Sequence, residues 1–317
     1  MWTEETFQLV RDGIDAAKTC RKLKLTDEWE EKLDKRAQTV ELANTEESVV
    51  DIIIFHVKVP AHASKISTPD IKGGEQGNID YEGLLDLNIK TALWAEPRAR
   101  IIILTDHEFA KSITKSERVS VVRFDVNGAE PMFERVFTMA SYVRSAAFIN
   151  PIIFLDIDAF LLRPLSVIFN SKFDVGLTHR HIVGQMAINE GVIFANNINK
   201  KLVIKFFDSY LASYLAAEKS EKIGRIYKNI RRWRGGQLAI NAAAGGFQFY
   251  STSCQVTEYG ARLAFLPCSK YNLSQISEGE VNKELRNRCS ILHLKGNRKG
   301  WISRLKSSLN SAGFFDG

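Results

Sequence analysis

Two aspartates stand directly after an apolar run in the middle of the chain. Asp156 follows the run 152–155 and Asp158 comes two residues later, so the carboxylates have the spacing D-x-D at the end of a predicted strand. Ligands of open α/β sheets bind at the carboxyl ends of strands. Two like charges this close repel each other, and a bound divalent cation removes that cost while it offers a site to diphosphate oxygens. The pair therefore indicates a cation and diphosphate site, with two solvated loop acids as the alternative.

A second group of residues with suitable chemistry lies at positions 293–301. A neutral His293 imidazole would complete an oxygen-rich metal site, Gly296 lets the backbone approach a ligand, and Lys299 offers an ammonium group to a phosphate. Each residue also has a structural alternative, because a lone histidine after an apolar strand is more often a hydrogen-bonded core residue. We therefore infer a ligand-binding role for this segment only in combination with the D-x-D pair.

Together the two segments resemble the family-8 glycosyltransferases, the retaining group that includes glycogenin and bacterial lipopolysaccharide galactosyltransferases. That family carries an apolar strand ending in D-x-D and a later H-x-x-G-x-x-K-P-W. This chain keeps four residues of the second motif and has Gly300 where the family prefers proline. The four are His293, Gly296, Lys299 and Trp301.

The resemblance implies an α/β fold of the GT-A type, a nucleotide-diphospho-sugar transferase fold with a Rossmann-like mixed, mostly parallel sheet. It implies that Asp156, Asp158 and His293 surround a manganese or magnesium ion. It further implies that Lys299 holds the diphosphate of the donor and that Gly296 lies against it.

Two further segments resemble blocks of the same family. Residues 189–194 look like its N-x-G-V strand, which lies beside the donor sugar and the acceptor, so the resemblance implies a donor-binding role for Asn189. Residues 235–241 look like its D-Q-x-x-x-N segment, with Gly236 where the family usually has Asp. The resemblance implies that Gln237 lies near the reacting face of the sugar, and we expect it to act in catalysis.

The expected function is metal-dependent transfer of a hexose from a nucleotide diphosphate sugar, a UDP-sugar, to a glycan, a lipid-linked saccharide or a protein hydroxyl, with retention at the anomeric carbon. An inverting transferase of the same fold is one alternative, in which Glu190 serves as the general base. A catalytically inactive sugar-nucleotide or glycan-binding relative is another, because Gly236 offers no carboxylate.

Short runs rich in β-branched residues predict the strands that must position these groups. Continuous apolar runs of this length indicate strands buried on both faces, and helix-like stretches lie between them. The resulting order, β-α-β-β-α-β, indicates an α/β domain with a mostly parallel sheet. The predicted strands are 49–55, 101–104, 119–124, 152–155, 175–178, 191–195 and 290–294, and the predicted helices are 81–95, 132–148 and 202–214.

The chain is predicted to divide into three parts. Residues 1–47 carry spaced apolar positions among dense charge, which predicts two or three amphipathic helices in an N-terminal extension. The glycosyltransferase-like domain would span residues 48–305, followed by a basic tail at 306–317.

The net charge of +6 is unevenly distributed. Residues 1–47 hold 8 Lys and Arg against 12 Asp and Glu, which leaves 35 against 25 for the rest. A basic body suits an anionic ligand. The stretch 219–234 predicts an amphipathic basic helix, which is either a solvated face over the core or a surface for an anionic acceptor or an acidic membrane leaflet.

Other classes of protein are disfavoured by the sequence. No nucleic-acid-binding motif accompanies the basic charge, so nucleic acid is not an expected partner. No run approaches the roughly 20 apolar residues of a membrane span, and the acidic amino terminus does not resemble a signal peptide. We therefore expect a cytoplasmic protein, with peripheral contact to the inner face of the membrane as an option.

Overall fold

A computed structural model describes residues 24–42, 48–60, 79–113, 116–180, 187–220, 231, 235–244, 254–274, 276–277, 280–281 and 289–315. The strands within them are β1 (Val50–Phe55), β2 (Ala99–Thr105), β3 (Val119–Arg123), β4 (Ile152–Asp156), β5 (Ala159–Leu161), β6 (Val175–His179), β7 (Ile188–Ala195), β8 (Cys254–Val256), β9 (Arg262–Pro267) and β10 (Ile291–His293). The helices are α1 (Asp27–Gln38), α2 (Tyr81–Ala95), α3 (Pro131–Arg144), α4 (Lys200–Lys219), α5 (Gly235–Ala243), α6 (Cys268–Tyr271) and α7 (Ile302–Ser311). Short 3-10 segments lie at Phe109–Ser112, Ser166–Asn170, Asn197–Asn199 and Gly296–Trp301.

Eight of these strands form one mixed sheet in the order β3-β2-β1-β4-β7-β6-β9-β8. The strands β3, β2, β1 and β4 pair in parallel, as do β6 and β9, whereas β7 pairs antiparallel with both β4 and β6, and β8 antiparallel with β9. This arrangement confirms the predicted α/β class with a mixed, mostly parallel sheet. It also confirms the predicted order of the first elements, which is β1-α2-β2-β3-α3-β4.

The sequence patterns do not predict β5, β8 and β9. β5 has only three residues, and it pairs with β10 in a separate two-stranded sheet. β8 and β9 lie at one edge of the large sheet. β8 has no buried position, and in β9 buried and partly exposed positions alternate instead of forming a continuous apolar run. Strands of this kind have the weakest signal in a single sequence.

The large sheet is covered on both faces, which explains why its central strands are mostly apolar, with the buried ion pair of Asp51 and Arg100 as an exception. Successive residues of β1 belong to different cores: Ile53 packs with side chains of α3 and α4, while Ile52 and Ile54 pack with those of α2 and α7. This is the alternation that the pleat of a strand imposes. All of β1, β2 and β4 except Asp156 is buried.

The outer helices α1 and α7 both contribute to the cores. Leu33 of α1 is buried, and Trp29 lies edge-on to Phe133 and Phe137 of α3 with ring centroids 5.8 Å apart. α7 continues across residue 305, and its Leu309 is buried as well. The division of the chain at residues 47 and 305 stays a prediction, and the structure adds that helices on the far side of each boundary pack against the sheet domain.

Several predicted elements lie outside the described residues. These are the helices expected in residues 1–23, the segment 43–47, and most of the basic helix, namely residues 221–230 and 232–234. The predicted helix at 202–214 is confirmed as part of α4.

None of the helices in the described part of the chain is both long enough and apolar enough to cross a membrane.

Candidate metal centre

Strand pairing brings the two predicted motifs together. β4 ends at Asp156, and a two-residue turn that contains Asp158 leads into β5. β5 then pairs antiparallel with β10, so that His293 lies opposite Ala159. The backbone N–H of Leu294 also donates to the carbonyl oxygen of Asp158, at 2.9 Å. The small sheet therefore fixes His293 beside the D-x-D turn although the two are far apart in the sequence.

Asp156, Asp158 and His293 form a group that could hold a metal ion. One potential ligand atom from each residue lies within 4.8 Å of the other two. Nε2 of His293 lies 3.1 Å from Oδ1 of Asp158 and 3.7 Å from Oδ2 of Asp156. Two carboxylate oxygens with one imidazole nitrogen suit a divalent cation such as magnesium, manganese or zinc. The residues therefore fit a metal ion, and the donor set alone does not select which one.

Lys299 is the cationic partner of Asp158. Its Nζ lies 2.7 Å from Oδ2 of Asp158, and both side chains are largely buried. Burial raises the pKa of Asp158, but the charges of Lys299 and His293 outweigh burial and hold that pKa well below its ordinary value. Burial lowers the pKa of Lys299, and Asp158 outweighs it so that the pKa is raised. The pair is therefore ionised, with the ammonium group directly at the candidate metal site.

Gly296 begins the 3-10 segment that carries Lys299. Its φ of +66° lies in the left-handed region, which disfavours side chains, and a β-carbon added there would meet no atom within 4 Å. Glycine at this position is thus explained by the backbone turn that precedes Lys299. A donor-binding role for Gly296 stays a prediction.

Arg135 is a residue of the site that the sequence analysis missed. It projects from α3 and is buried, with Nη2 3.0 Å from Oδ1 of Asp156 and Nη1 3.1 Å from Oε2 of Glu190. Its Nη2 also donates to the backbone carbonyl of Glu190 at 2.6 Å. Burial alone would lower the pKa of Arg135, but the two carboxylates raise it, so the guanidinium stays charged. The sequence signal for this role was a charged residue among the apolar residues Phe133 and Val136 of a predicted helix.

Glu190 lies on β7 and is held from two sides. Its Oε2 accepts a hydrogen bond from the hydroxyl of Tyr210 at 2.7 Å, in addition to the ion pair with Arg135. Burial raises the pKa of Glu190 and the charge of Arg135 opposes that rise. The carboxylate also lies against Gly236 at the start of α5, where an added β-carbon would be 2.9 Å from Cδ of Glu190 and closer still to Oε2.

Gln237 follows Gly236, and so its backbone lies near Glu190. Its carbonyl oxygen accepts from Nδ2 of Asn241 at 2.7 Å, and Asn241 also bonds both backbone groups of Ile188 at the start of β7. These bonds join α5 to β7. The catalytic role expected of Gln237 stays a prediction, since no contact of its side chain with the metal-binding group accompanies this placement among the described residues.

Gly191 and Asn189 explain part of the N-x-G pattern. A β-carbon on Gly191 would lie 2.5 Å from Cε1 of His293 and 2.8 Å from Oδ2 of Asp156, so only glycine lets β7 lie this close to the metal-binding group. Asn189 is buried, its Oδ1 accepts from the N–H of Gly191 at 3.2 Å, and its Nδ2 has no hydrogen-bond partner among the described residues. Binding of the donor by Asn189 stays a prediction.

Asn88 is a second residue that the sequence analysis missed. It lies on the buried face of α2, and its Nδ2 donates to the carbonyl oxygens of Asp156 (3.1 Å), Ile157 (3.1 Å) and Ala159 (2.9 Å). One amide group thus bonds the turn that carries both aspartates. A fully buried polar residue among the leucines of α2 was the signal for such a role.

An aromatic wall stands at the carboxyl end of β1. His56 stacks on Tyr81, with ring centroids 4.9 Å apart and an interplanar angle of 27°, and meets Phe109 edge-on. Burial lowers the pKa of His56 to about 4, with smaller effects of nearby charges that include Lys299 and Asp158. The same two charges influence the pKa of Tyr81, which burial raises. These rings are therefore within electrostatic reach of the ion pair of Lys299 and Asp158.

The described part of the basic stretch is engaged within the fold. Arg231 forms ion pairs with Glu218 at the end of α4 and with Glu130, the latter at 2.9 Å. Its guanidinium also covers the ring of Phe133. The other arginines of the stretch, Arg225, Arg232 and Arg234, lie outside the described residues, so an acceptor or membrane surface there stays a prediction.

No protein-family model matches the chain, and no curated protein matches it. Among solved structures, similarity extends to the galactosyltransferase LgtC in complex with donor and acceptor sugar analogues, at 12% identity over 82% of this chain and 95% of that chain, with a TM-score of 0.44. The glycosyltransferase GlyE of Streptococcus pneumoniae TIGR4 shows 14% identity over 86% of this chain and 64% of its own, with a TM-score of 0.49. Mouse xyloside xylosyltransferase 1 shows 11% identity over 78% and 99%, with a TM-score of 0.45. Each of these three is named as a glycosyltransferase.

Proposed function

We propose that this protein is a divalent-cation-dependent glycosyltransferase that uses a nucleotide diphosphate sugar as donor. In its full form the proposal has Mn²⁺ as the ion, a UDP-hexose as the donor, and retention at the anomeric carbon. The acceptor is the hydroxyl group of a glycan, a lipid-linked saccharide or a protein. One observation carries the proposal: the carboxylates of Asp156 and Asp158 and the imidazole of His293 converge at the carboxyl end of β4, with Lys299 bonded to Asp158.

Asp156, Asp158 and His293 would hold the cation. A divalent cation at this place would offset the negative charge that a diphosphate leaving group gains as the bond from the anomeric carbon to the phosphate oxygen breaks. Lys299 is near enough to add a second positive charge to the same group, and its donors suit phosphate oxygens. The residues thus suit a leaving group with two phosphates.

The walls of the site suit the two ends of such a donor. The stacked rings of His56 and Tyr81 are within electrostatic reach of Lys299, and a planar base can stack on an aromatic surface of this kind. On the other side, Glu190 and the buried Nδ2 of Asn189 offer a hydrogen-bond acceptor and donor for sugar hydroxyls. The proposal therefore assigns the nucleoside to the end of β1 and the sugar to the space between β7 and α5.

A second candidate is an inverting transferase with Glu190 as the general base. The observation that favours it is the raised pKa of this buried carboxylate, which is the direction a base at neutral pH requires. Against it, Oε2 is already bonded by Tyr210 and Arg135. Retention therefore remains the preferred form of the proposal.

The test is a screen of nucleotide sugars for hydrolysis with and without Mn²⁺, which needs no knowledge of the acceptor. We expect release of nucleoside diphosphate from one donor, its loss on chelation, and its loss in Asp158→Asn. Asp86→Asn is the matched control, because Asp86 is an exposed aspartate paired with Lys90 on the outside of α2. Its hydrolysis should equal that of the wild type.

The outcomes separate the candidates. Equal hydrolysis by Asp158→Asn and the control would contradict the metal assignment. Tight binding of a nucleotide sugar without hydrolysis or transfer would identify an inactive relative. Once an acceptor is found, the anomeric configuration of the product distinguishes retention from inversion.

A further inference from the structure

A chain of buried hydrogen bonds connects His293 to the backbone of β7. The hydroxyl of Thr178 donates to the carbonyl oxygen of Asn189 at 2.7 Å. Nδ2 of Asn272 donates to that hydroxyl oxygen at 2.8 Å, and Oδ1 of Asn272 lies 2.8 Å from Nδ1 of His293. All four residues are buried, so water cannot replace a missing partner. The chain therefore links β7, β6, the segment after α6, and β10.

The direction of every bond in this chain follows from its first acceptor. Backbone carbonyls only accept, so the proton of Thr178 points to the carbonyl oxygens of Asn189 and, more distantly, Val192 (3.4 Å), and the oxygen of Thr178 accepts from Asn272. Asn272 therefore turns its amide nitrogen to Thr178 and its oxygen to His293. Because an amide oxygen only accepts, the proton between Asn272 and His293 belongs to Nδ1 of the imidazole.

This bond leaves Nε2 as the nitrogen that faces the two aspartates. A half-turn of the ring about its Cβ–Cγ bond would exchange Nε2 for a carbon and would break the bond to Asn272. A shift of the proton from Nδ1 to Nε2 would set two acceptors, Oδ1 and Nδ1, against each other in a dry environment. These hydrogen bonds thus disfavour both the flipped ring and the Nε2-protonated tautomer of His293.

Backbone hydrogen bonds hold the segment that follows Asn272 against β10, and so keep Asn272 beside His293. The N–H of His293 donates to the carbonyl oxygen of Leu273 at 2.9 Å, and the N–H of Leu273 donates to that of Ile291 at 3.0 Å. The pairing of β6 with β7 is irregular between Leu177 and Thr178: Leu177 lies opposite Ile193, and Thr178 lies opposite Asn189. The irregular pairing thus lies at Thr178, which bonds both β7 and Asn272.

We propose that Asn272 and Thr178 are positioning residues that present Nε2 of His293 to a divalent cation shared with Asp156 and Asp158. This inference rests on the metal-binding part of the proposed function. Partners of this kind fix the orientation and the tautomer of a ligating histidine, and their loss typically weakens metal binding by about 10- to 100-fold.

The test uses Thr178→Val, which keeps the shape of the side chain and removes the hydroxyl, so that Asn272 loses the neighbour that orients it. Thr178→Ser restores the hydroxyl and should restore the wild-type result. Thr138→Val is the matched control, because Thr138 is a buried threonine whose hydroxyl bonds Arg36 of α1 at 3.1 Å, on the side of α3 that faces α1. Asn272→Leu, of similar size, removes the direct partner of the imidazole.

The first measurement is titration of each full-length variant with Mn²⁺ alone, by calorimetry or by electron paramagnetic resonance of the free ion. We expect the dissociation constant to rise by about 10- to 100-fold in Thr178→Val and Asn272→Leu and to stay unchanged in Thr178→Ser and Thr138→Val. The contrary outcome is that Thr178→Val lowers the melting temperature as Thr138→Val does and still binds Mn²⁺ as the wild type does. In that case the hydrogen bonds from His293 to β7 have only a structural role, and the proposal is overturned.

The second measurement reads the imidazole directly in the presence of Mg²⁺, a diamagnetic ion, because without a cation the two aspartates can also draw a proton to Nε2. Nitrogen-15 spectra identify the His293 signals by their absence in His293→Gln, and they should show one form protonated at Nδ1 in the wild type and a mixture of forms in Thr178→Val. A form protonated at Nε2 in the wild type with Mg²⁺ present would overturn the proposal. Neither measurement uses a nucleotide sugar. A failure of the hydrolysis screen can therefore be distinguished from a failure of the positioning role of Asn272 and Thr178.

Discussion

The carboxylate of Glu190 occupies the space into which a side chain at Gly236 would project. A β-carbon on Gly236 would lie 2.9 Å from Cδ of Glu190, and 3.1 Å from its Oε1. Its Oε2 would lie closest of all, and Glu190 cannot withdraw easily, because Arg135 and Tyr210 hold this same oxygen in place. The two positions are therefore coupled, so that the acidic side chain on β7 requires glycine at the start of α5.

This coupling predicts that Gly236→Ala is destabilising and that Glu190 is the reason. Overpacking in a buried place typically costs about 1–3 kcal/mol of unfolding free energy. In a background that carries Glu190→Ala the same change should cost less than 1 kcal/mol, at order of magnitude, because the obstructing carboxylate is gone. Chemical denaturation of the two single variants and the double variant measures the difference. Strictly additive effects would show that the two positions are independent.

A second prediction concerns Gly191, whose missing side chain lets β7 approach His293 and Asp156. Gly191→Ala should displace the imidazole by a few tenths of an ångström or more and weaken Mn²⁺ binding, since an added β-carbon would lie 2.5 Å from Cε1 of His293. Gly300→Ala is the matched control, because Gly300 lies close to Lys299 in the chain and an added β-carbon there would meet no atom within 4 Å. Titration with Mn²⁺ compares them, and equal affinities would refute the steric account.

A third prediction is that Arg135 is essential for stability because it neutralises the buried carboxylate of Glu190 and the partly buried carboxylate of Asp156. Breaking a buried ion pair by removing one partner typically costs about 3–5 kcal/mol. Arg135→Met should therefore strongly lower the unfolding free energy, and the addition of Glu190→Gln should recover part of the loss by removing one unpaired charge. Denaturant unfolding of the single and double variants checks this. A double variant less stable than Arg135→Met alone would contradict the charge argument.

The sequence predicted the parts of this site that lie in local patterns. The D-x-D turn after an apolar strand and the histidine after another strand are visible as motifs, and the carboxyl ends of buried strands are where such motifs meet. The central strands were predictable for the same reason, since β1, β2 and β4 are built around apolar runs rich in isoleucine. Local composition was enough in both cases.

The rest of the site depends on contacts between residues that are distant in the sequence. Arg135 is recognisable as part of the site only when β4 and β7 bring Asp156 and Glu190 to it. The coupling of Glu190 with Gly236 likewise arises from the packing of α5 on β7. A single sequence carries the residue types but no record of which side chains face each other, so these roles could not be predicted.

A fourth prediction concerns the dependence of stability on pH through His56. Burial lowers its pKa from 6.5 to about 4, so between these values the unfolded chain binds a proton that the folded protein does not. The stability that this residue contributes is therefore present above pH 6.5 and is lost as the pH falls toward 4, by up to about 3 kcal/mol. His56→Phe keeps a ring against Tyr81 and should remove this part of the decline. Unfolding free energies measured at several pH values for both proteins test the assignment, and parallel curves would contradict it.

The last prediction separates the two partners that Lys299 can have. Its ammonium group lies 2.7 Å from Oδ2 of Asp158, a carboxylate that a cation would also use. Lys299→Ala should therefore bind Mn²⁺ alone at least as tightly as the wild type, because a competing positive charge has been removed. In the presence of Mn²⁺ it should bind a nucleoside diphosphate more weakly by about 1–3 kcal/mol, the range for a charge-assisted hydrogen bond.

Lys90→Ala, which removes an exposed lysine of α2, is the matched control and should change neither affinity. Weaker binding of Mn²⁺ alone would mean that Lys299 orients Asp158 for the metal, and unchanged binding of the nucleotide would remove Lys299 from the donor site.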